Sequence, residues 1–157
     1  MEAISAFNAY VKTVESRLAQ QHQSRNDFLS PPLTPQNEKL LQQGELIIEP
    51  ITPLTGTALP GALLHNWRGT AFVAGAKVAD FERLMKDISA YPQHFSPQVL
   101  QAKLLRQQGD SLQAFMRVRQ RHVITVVLDT TYDIIFGRLD EQHGYSLSRS
   151  VRVSEIG

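Results

Sequence analysis

The 157-residue sequence contains no cysteine, which excludes disulfides, thiol nucleophiles and zinc sites built on sulfur. Apolar runs are short, such as residues 126–128, whereas a membrane-spanning helix needs roughly 20 residues. The first thirty residues also lack the basic start and continuous apolar stretch of a secretory signal. We therefore expect a soluble chain without a membrane span, and its cellular compartment stays open.

Charge of one sign is also lacking, because 16 Lys and Arg residues face 15 Asp and Glu residues, for a net charge of +1. This balance predicts no general attraction to nucleic-acid phosphates or to anionic lipid. Hydrophobic residues make up 42% of the chain and charged residues 20%, which is too apolar for a disordered protein. The length predicts a single core-forming domain over residues 45–157, preceded by a helical segment and a proline-containing linker over residues 1–44.

Motifs of common catalytic and cofactor sites are missing. Neither G-x-S-x-G nor a glycine-rich phosphate loop occurs, and no two of the five histidines stand at a spacing typical of metal ligands. The sequence therefore predicts no catalytic residue, no metal ligand and no cofactor.

The N-terminal residues 3–22 have the three- and four-residue apolar spacing of an amphipathic helix. The residues on this stripe are Ile4, Phe7, Val11, Val14 and Leu18. The favoured interpretation is a helix that packs on its own domain, and the alternative is a surface that engages a partner.

The central region alternates short elements with breaks. Residues 45–49 are predicted as a strand, residues 50–61 as a loop, and residues 62–73 as a strand with a bulge at Gly69. The clearest helix is predicted over residues 77–90, and Tyr91-Pro92 ends it. Its apolar stripe consists of Val78, Phe81, Leu84, Met85 and Ile88.

After residue 98 the apolar period changes from 3.6 to two, which predicts an antiparallel meander. Strands are expected over residues 99–105, 112–121, 122–139 and 145–153, with an irregularity near Asp129-Thr130 in the longest one. The fold class is therefore α+β, with an antiparallel sheet packed against helices.

Arg117, Arg119 and Arg121 are spaced by two, so they project from one face of a strand. Such a row could hold a carboxylate or phosphate head group. Arg138, Arg149 and Arg152 could extend the row on neighbouring strands. The alternative is an outward, solvated face balanced across the sheet by Asp133, Asp140 and Glu141. The alternation with Leu112 and Met116 favours the outward face, because those apolar residues are expected to face the core.

A resemblance to a known family rests on two phrases in this order of elements. The first is Asp87-Ile88-Ser89-Ala90-Tyr91-Pro92, which ends the predicted helix, and the second is Pro97-Gln98-Val99, which opens the next strand. Over residues 45–153 the chain resembles the START-like superfamily, also called Bet v 1-type, SRPBCC or helix-grip.

This resemblance implies a curved antiparallel sheet that grips a C-terminal helix around an apolar cavity for a hydrophobic small molecule or lipid. The expected function is non-enzymatic binding or carriage of that ligand. A cyclase or aromatase activity using Tyr132, His65 or an arginine is one alternative, and a protein-interaction module using the N-terminal helix is another. A homo-oligomer is possible. The residues expected to line the cavity are Trp67, Phe81, Phe95, Tyr132, Phe136, Arg117 and Arg119.

Family members usually continue with further strands and the long helix, whereas this sequence ends at Gly157. The expectation is a truncated or divergent short form, and the alternative is that the N-terminal helix takes the missing position. An open sheet without its gripped helix is expected to expose an apolar face.

Overall fold

The computed structural model describes residues 2–51, 64–121 and 125–156. The chain divides into two compact units, Met1–Gly75 and Ala76–Gly157. The expected α+β class is confirmed, with an N-terminal helix and a four-stranded antiparallel sheet. The predicted domain boundary after residue 44 stays a prediction.

The first unit contains helix α1 (Glu2–Gln21), helix α2 (Pro35–Gln42) and the antiparallel strands β1 (Ile47–Pro50) and β2 (Trp67–Thr70). Thr34 caps α2 by accepting a hydrogen bond from the Asn37 amide at 3.2 Å.

The strand predicted over residues 62–73 is shorter, and its first two residues lie outside the described part of the chain. The pairing of β1 with β2 runs regularly through Gly69, so the bulge predicted there is wrong. Glu49 lies opposite Arg68, and their carboxylate and guanidinium form an ion pair at 2.6 Å.

Helix α1 leaves its apolar stripe accessible. None of its residues is buried, and Ile4 is 68% exposed. Val11, Val14 and Leu18 are half-buried. The start of the stripe therefore presents apolar surface to solvent.

In the second unit, the helix predicted over residues 77–90 is three shorter pieces. Helix α3 (Val78–Lys86) ends at Asp87, whose φ of −82° and ψ of 66° are not helical. A 3-10 turn (Ile88–Ala90) and helix α4 (Tyr91–His94) follow. Pro92 therefore does not end helical structure but lies in the first turn of α4, where its missing amide costs no hydrogen bond. We call residues 78–94 the helical segment.

The sheet is formed by β3 (Val99–Gln108), β4 (Ser111–Arg121), β5 (Thr125–Asp140) and β6 (His143–Glu155), in the order β3-β4-β5-β6. The expected antiparallel meander is confirmed. An irregularity close to the one expected near Asp129-Thr130 occurs in the pairing of β5 with β6, where the register shifts between Thr131 and Tyr132. The pairing of β4 with β5 is uninterrupted there, and a second register shift between β5 and β6 lies after Arg138. Residues 122–124, predicted as the start of the long strand, lie outside the described residues.

The two faces of this sheet differ. The helix face consists of the β4 residues at even positions 112–118 and the residues aligned with them on β3, β5 and β6. The arginine face consists of the β4 residues at odd positions 111–121 and the residues aligned with those. The helical segment packs on the helix face, where the core residues are Ile88, Tyr91, Leu112, Ala114, Ile134 and Phe136. The arrangement predicted for β4 is therefore confirmed, with its apolar residues in the core and its arginines on the opposite side.

Candidate functional site

The helix face extends beyond the part that the helical segment buries. Met116 and Tyr132 border the core and are only half-buried. Further out, Leu104 on β3 is 44% exposed and Val153 on β6 is 57% exposed. The helix face therefore carries accessible apolar surface on both edge strands.

The residues predicted to line a cavity lie in several places. Trp67 is exposed in the first unit, whereas the other six belong to the second. Phe136 is buried in the core, and Tyr132 borders it. Phe81 in α3 and Phe95 just after α4 are 42% and 39% exposed. The Phe95 ring makes an edge contact with Tyr91 at 5.0 Å between centroids.

The predicted combination of arginines with these aromatics is not formed. Arg117 and Arg119 occupy odd positions of β4, whereas Tyr132 is the cross-strand partner of Ala114, at an even position. Since successive side chains of a strand project to opposite sides, the arginines and Tyr132 lie on different faces. A head group held by these arginines would thus be separated from the helix face by the sheet itself.

The residues considered for an enzymatic role belong to different units. His65 is exposed in the first unit, and Tyr132 lies in the second. No group of three or more His, Asp or Glu side chains suited to a metal ion occurs among the described residues.

The arginine face contains one well-defined ion pair. The Arg117 guanidinium donates from Nε and Nη2 to the two carboxylate oxygens of Asp129, at 2.7 and 2.9 Å. These hydrogen bonds hold the pKa of Asp129 below its usual value and raise the pKa of Arg117. The carboxylate in this pair is Asp129. The sequence had instead suggested Asp133, Asp140 and Glu141 as the carboxylates that balance the arginines.

The whole arginine face is strongly basic. It contains seven cationic side chains and two carboxylates, a net charge of +5 among the described residues. The cations are Lys103, Arg106, Arg117, Arg119, Arg121, Arg149 and Arg152, and the carboxylates are Asp129 and Asp133. The sequence predicted the β4 row and named Arg149 and Arg152 for neighbouring strands, whereas the contribution of β3 was not predicted because it depends on strand register.

Charged residues at one end of the helix face have a structural role. The Arg138 guanidinium donates two hydrogen bonds to the Glu82 carboxylate, at 2.6 and 2.9 Å, and lowers the pKa of Glu82. The Lys86 ammonium lies 2.8 Å from Asp110 and 4.9 Å from the centroid of the Phe136 ring. These contacts join α3 to the sheet.

Two glycines allow close packing near this end. A side chain at Gly144 on β6 would collide with Val78 of α3, so the absence of a side chain brings helix and strand together. A side chain at Gly137 on β5 would collide with the ring of Tyr145, which lies over that glycine on the arginine face. The Tyr145 ring is therefore already packed against the sheet.

A shallow depression of about 210 Å³ lies at the edge of the arginine face. It is lined by Arg106, Gln108, Ser111, Leu112, Asp133, Ile134 and Ile135. Ligand pockets for small molecules usually measure about 300–1,000 Å³, so this depression is smaller than a typical pocket.

Comparisons with protein-family models, curated proteins and solved structures found no match to this chain. Among the helices of the described residues, none is both long and apolar enough to cross a membrane.

Proposed function

We propose that the second unit is a START-like domain and that its helix face binds a hydrophobic small molecule or lipid without catalysing its conversion. The order of elements supports this proposal, since a helical segment crosses one face of a long-stranded antiparallel meander. The phrase from Asp87 to Pro92 lies at the junction of the 3-10 turn and α4, on the side of the segment that contacts β3.

The observation that carries the ligand assignment is the accessible apolar surface of the helix face. Leu104, Met116 and Val153 surround a core that the helical segment covers only in part. Burial of apolar surface contributes about 25 cal/mol per Å², so an apolar ligand that covers these side chains gains binding energy from them. The helix face also carries serine hydroxyls on β6, Ser148 and Ser150, which are exposed and can donate hydrogen bonds to a polar end of such a ligand.

The test compares two variants of the full chain. Leu104 on the helix face and Ile135 on the arginine face are both 44% exposed. Leu104→Asp is expected to weaken binding of sterols and of phospholipids without net charge in a native mass-spectrometry panel at least tenfold, because it places a carboxylate in the apolar surface. Ile135→Asp is the matched control and is expected to leave this binding unchanged.

Three results would overturn the proposal. They are the absence of affinity for every member of the panel, equal losses in both variants, or a loss in Ile135→Asp alone. Circular dichroism of both variants confirms that a lost signal comes from the altered surface and not from unfolding.

A second candidate function is protein interaction through α1. The exposed Ile4 and Phe7 on a helix without buried residues favour it. Deletion of residues 1–30 tests this candidate, since retained folding with lost association would support a partner surface. Retained folding with unchanged association would exclude it, and loss of folding would mean that α1 packs on its own unit.

A further inference from the structure

We infer that the arginine face is a docking surface for an anionic phospholipid bilayer. This inference does not rest on the proposed function, because it concerns the opposite side of the sheet. Its basis is the net charge of +5 on one sheet face of a chain whose total charge is only +1.

Five of the seven cations have no hydrogen bond or ion pair with another described residue. They are Lys103, Arg106, Arg119, Arg121 and Arg152, and all five are exposed. Carboxylates on the same face do not neutralise them, since Asp129 is held by Arg117 and Asp133 accepts a hydrogen bond from Gln113 at 2.8 Å. These five charges are therefore available to an anionic partner.

The distribution of the charges fits a planar partner. They lie on β3, β4 and β6, which spans three strand spacings, or about 14 Å. Along the strands they extend from the pair Arg106–Gln113 to the pair Arg121–Thr125, which is eight residues of β4, or about 27 Å. A linear phosphodiester would contact one row of such an array, whereas lipid head groups cover both dimensions.

The uncharged side chains of the face also favour lipid over nucleic acid. Single-stranded nucleic acid binds through aromatic platforms on which bases stack. The aromatic rings of the described part of this face are Phe115, which is half-buried, and Tyr145, which packs over Gly137. Ile135, in contrast, is 44% exposed and can enter the interfacial region of a bilayer.

The experiment is co-sedimentation of the full chain with vesicles of phosphatidylcholine that contain 30% phosphatidylserine or none. Binding is expected only with phosphatidylserine at about 0.1 M NaCl, and about 0.5 M NaCl is expected to release the protein because salt screens surface charges. Arg119→Gln combined with Arg121→Gln is expected to weaken binding about 25-fold, since each Lys or Arg near an anionic surface contributes about a fivefold factor.

A matched control removes two exposed cations elsewhere. Lys12→Gln combined with Lys39→Gln makes the same change of net charge in α1 and α2 and is expected to bind like the parent chain. A second face variant, Lys103→Gln with Arg152→Gln, is expected to lose binding to the same extent as the first. Agreement between the two face variants distinguishes loss of charge from a local disturbance of β4.

The inference is overturned if the protein sediments equally with neutral vesicles, if it fails to sediment with anionic ones, or if the control pair loses as much as the face variants. Tighter binding to a 20-nucleotide single-stranded RNA than to the anionic vesicles would also overturn it and would identify the face as a nucleic-acid surface.

Discussion

The two faces of the sheet are built from the same four strands and differ in almost every property. The helix face contains Ala114 and Leu112 in a buried core under the helical segment. The arginine face is formed by the alternate residues of the same strand. It contains Arg117, which pairs with a carboxylate, and Arg119, which is exposed to solvent. The difference arises from the two-residue period of a β-strand, which separates neighbouring residues onto opposite sides.

This comparison shows why a balanced whole-chain charge is a poor guide to a surface. The chain as a whole carries a net charge of +1, yet the alternation of β4 and the register of β3 and β6 collect seven cations on one side. The total charge alone is therefore not sufficient to exclude an anionic partner for a sheet with one charged face, because a partner responds to the local field.

The largest expected effect is a difference in the free energy of unfolding between substitutions on the two faces. Ile88→Ala removes a side chain that is 1% exposed between the helical segment and β4, and should lower the free energy of unfolding by about 2–5 kcal/mol. Ile135→Ala on the arginine face should cost under about 1 kcal/mol, because the side chain is already half in water. Urea denaturation followed by circular dichroism measures both values. Equal losses would contradict the assignment of the core to the helix face.

A smaller effect is expected at the hydrogen bond within the helical segment. The Tyr91 hydroxyl donates to the Met85 carbonyl at 2.7 Å, and burial raises the pKa of this tyrosine. Tyr91→Phe should therefore lower the free energy of unfolding by about 1 kcal/mol. Tyr132→Phe is the control, with an expected change within about 0.5 kcal/mol because its hydroxyl bonds to no other described residue. A larger loss in the control would show that the Tyr132 hydroxyl has an unrecognised role.

On the arginine face, the expected effect concerns pH. The pKa of Asp129 is lowered in the folded chain, so its pair with Arg117 stabilises the fold above the unfolded pKa of about 3.9 and is lost as the pH falls through the folded pKa. Arg117→Gln should move the Asp129 pKa back up toward its ordinary value. Carboxyl NMR titration measures the shift, and Arg152→Gln serves as the control. An unchanged Asp129 pKa in Arg117→Gln would refute the pair.

The smallest expected effect, also on the arginine face, is that substitution of Arg119 leaves the stability unchanged. The Arg119 side chain is exposed and has no hydrogen bond or ion pair with another described residue. Arg119→Gln should leave the midpoint of thermal unfolding unchanged within about 2 °C, since exposed surface changes contribute within about 0.5 kcal/mol. A clear drop in the midpoint would mean that this arginine belongs to the structural framework of the sheet.

The sequence predicted the elements better than their ends or their spatial relations. Alternation from Leu112 to Arg121 was sufficient for the facing of β4, because one period fixes both sides of a strand. The break at Asp87 was not predicted, since the apolar stripe continues through it to Ile88. An irregularity was expected near Asp129-Thr130, but its place between Thr131 and Tyr132 depends on how β5 pairs with β6 and not on either strand alone. Which side chains meet at a site depends on such pairings. The sequence therefore grouped Tyr132 with Arg117 and Arg119 in one predicted cavity, although they lie on opposite faces of the sheet.

The far end of the β5–β6 hairpin extends past the last residue pair of β4 and β5, which joins Ser111 to Ile135. Helix α3 holds this overhang at two points, through Glu82 on Arg138 and through Val78 against Gly144. Amide protons of the overhang should consequently exchange with deuterium at the rate at which α3 detaches, and not at the slower rate of global unfolding. Helix and hairpin tip are thus expected to open and close as one unit of local unfolding.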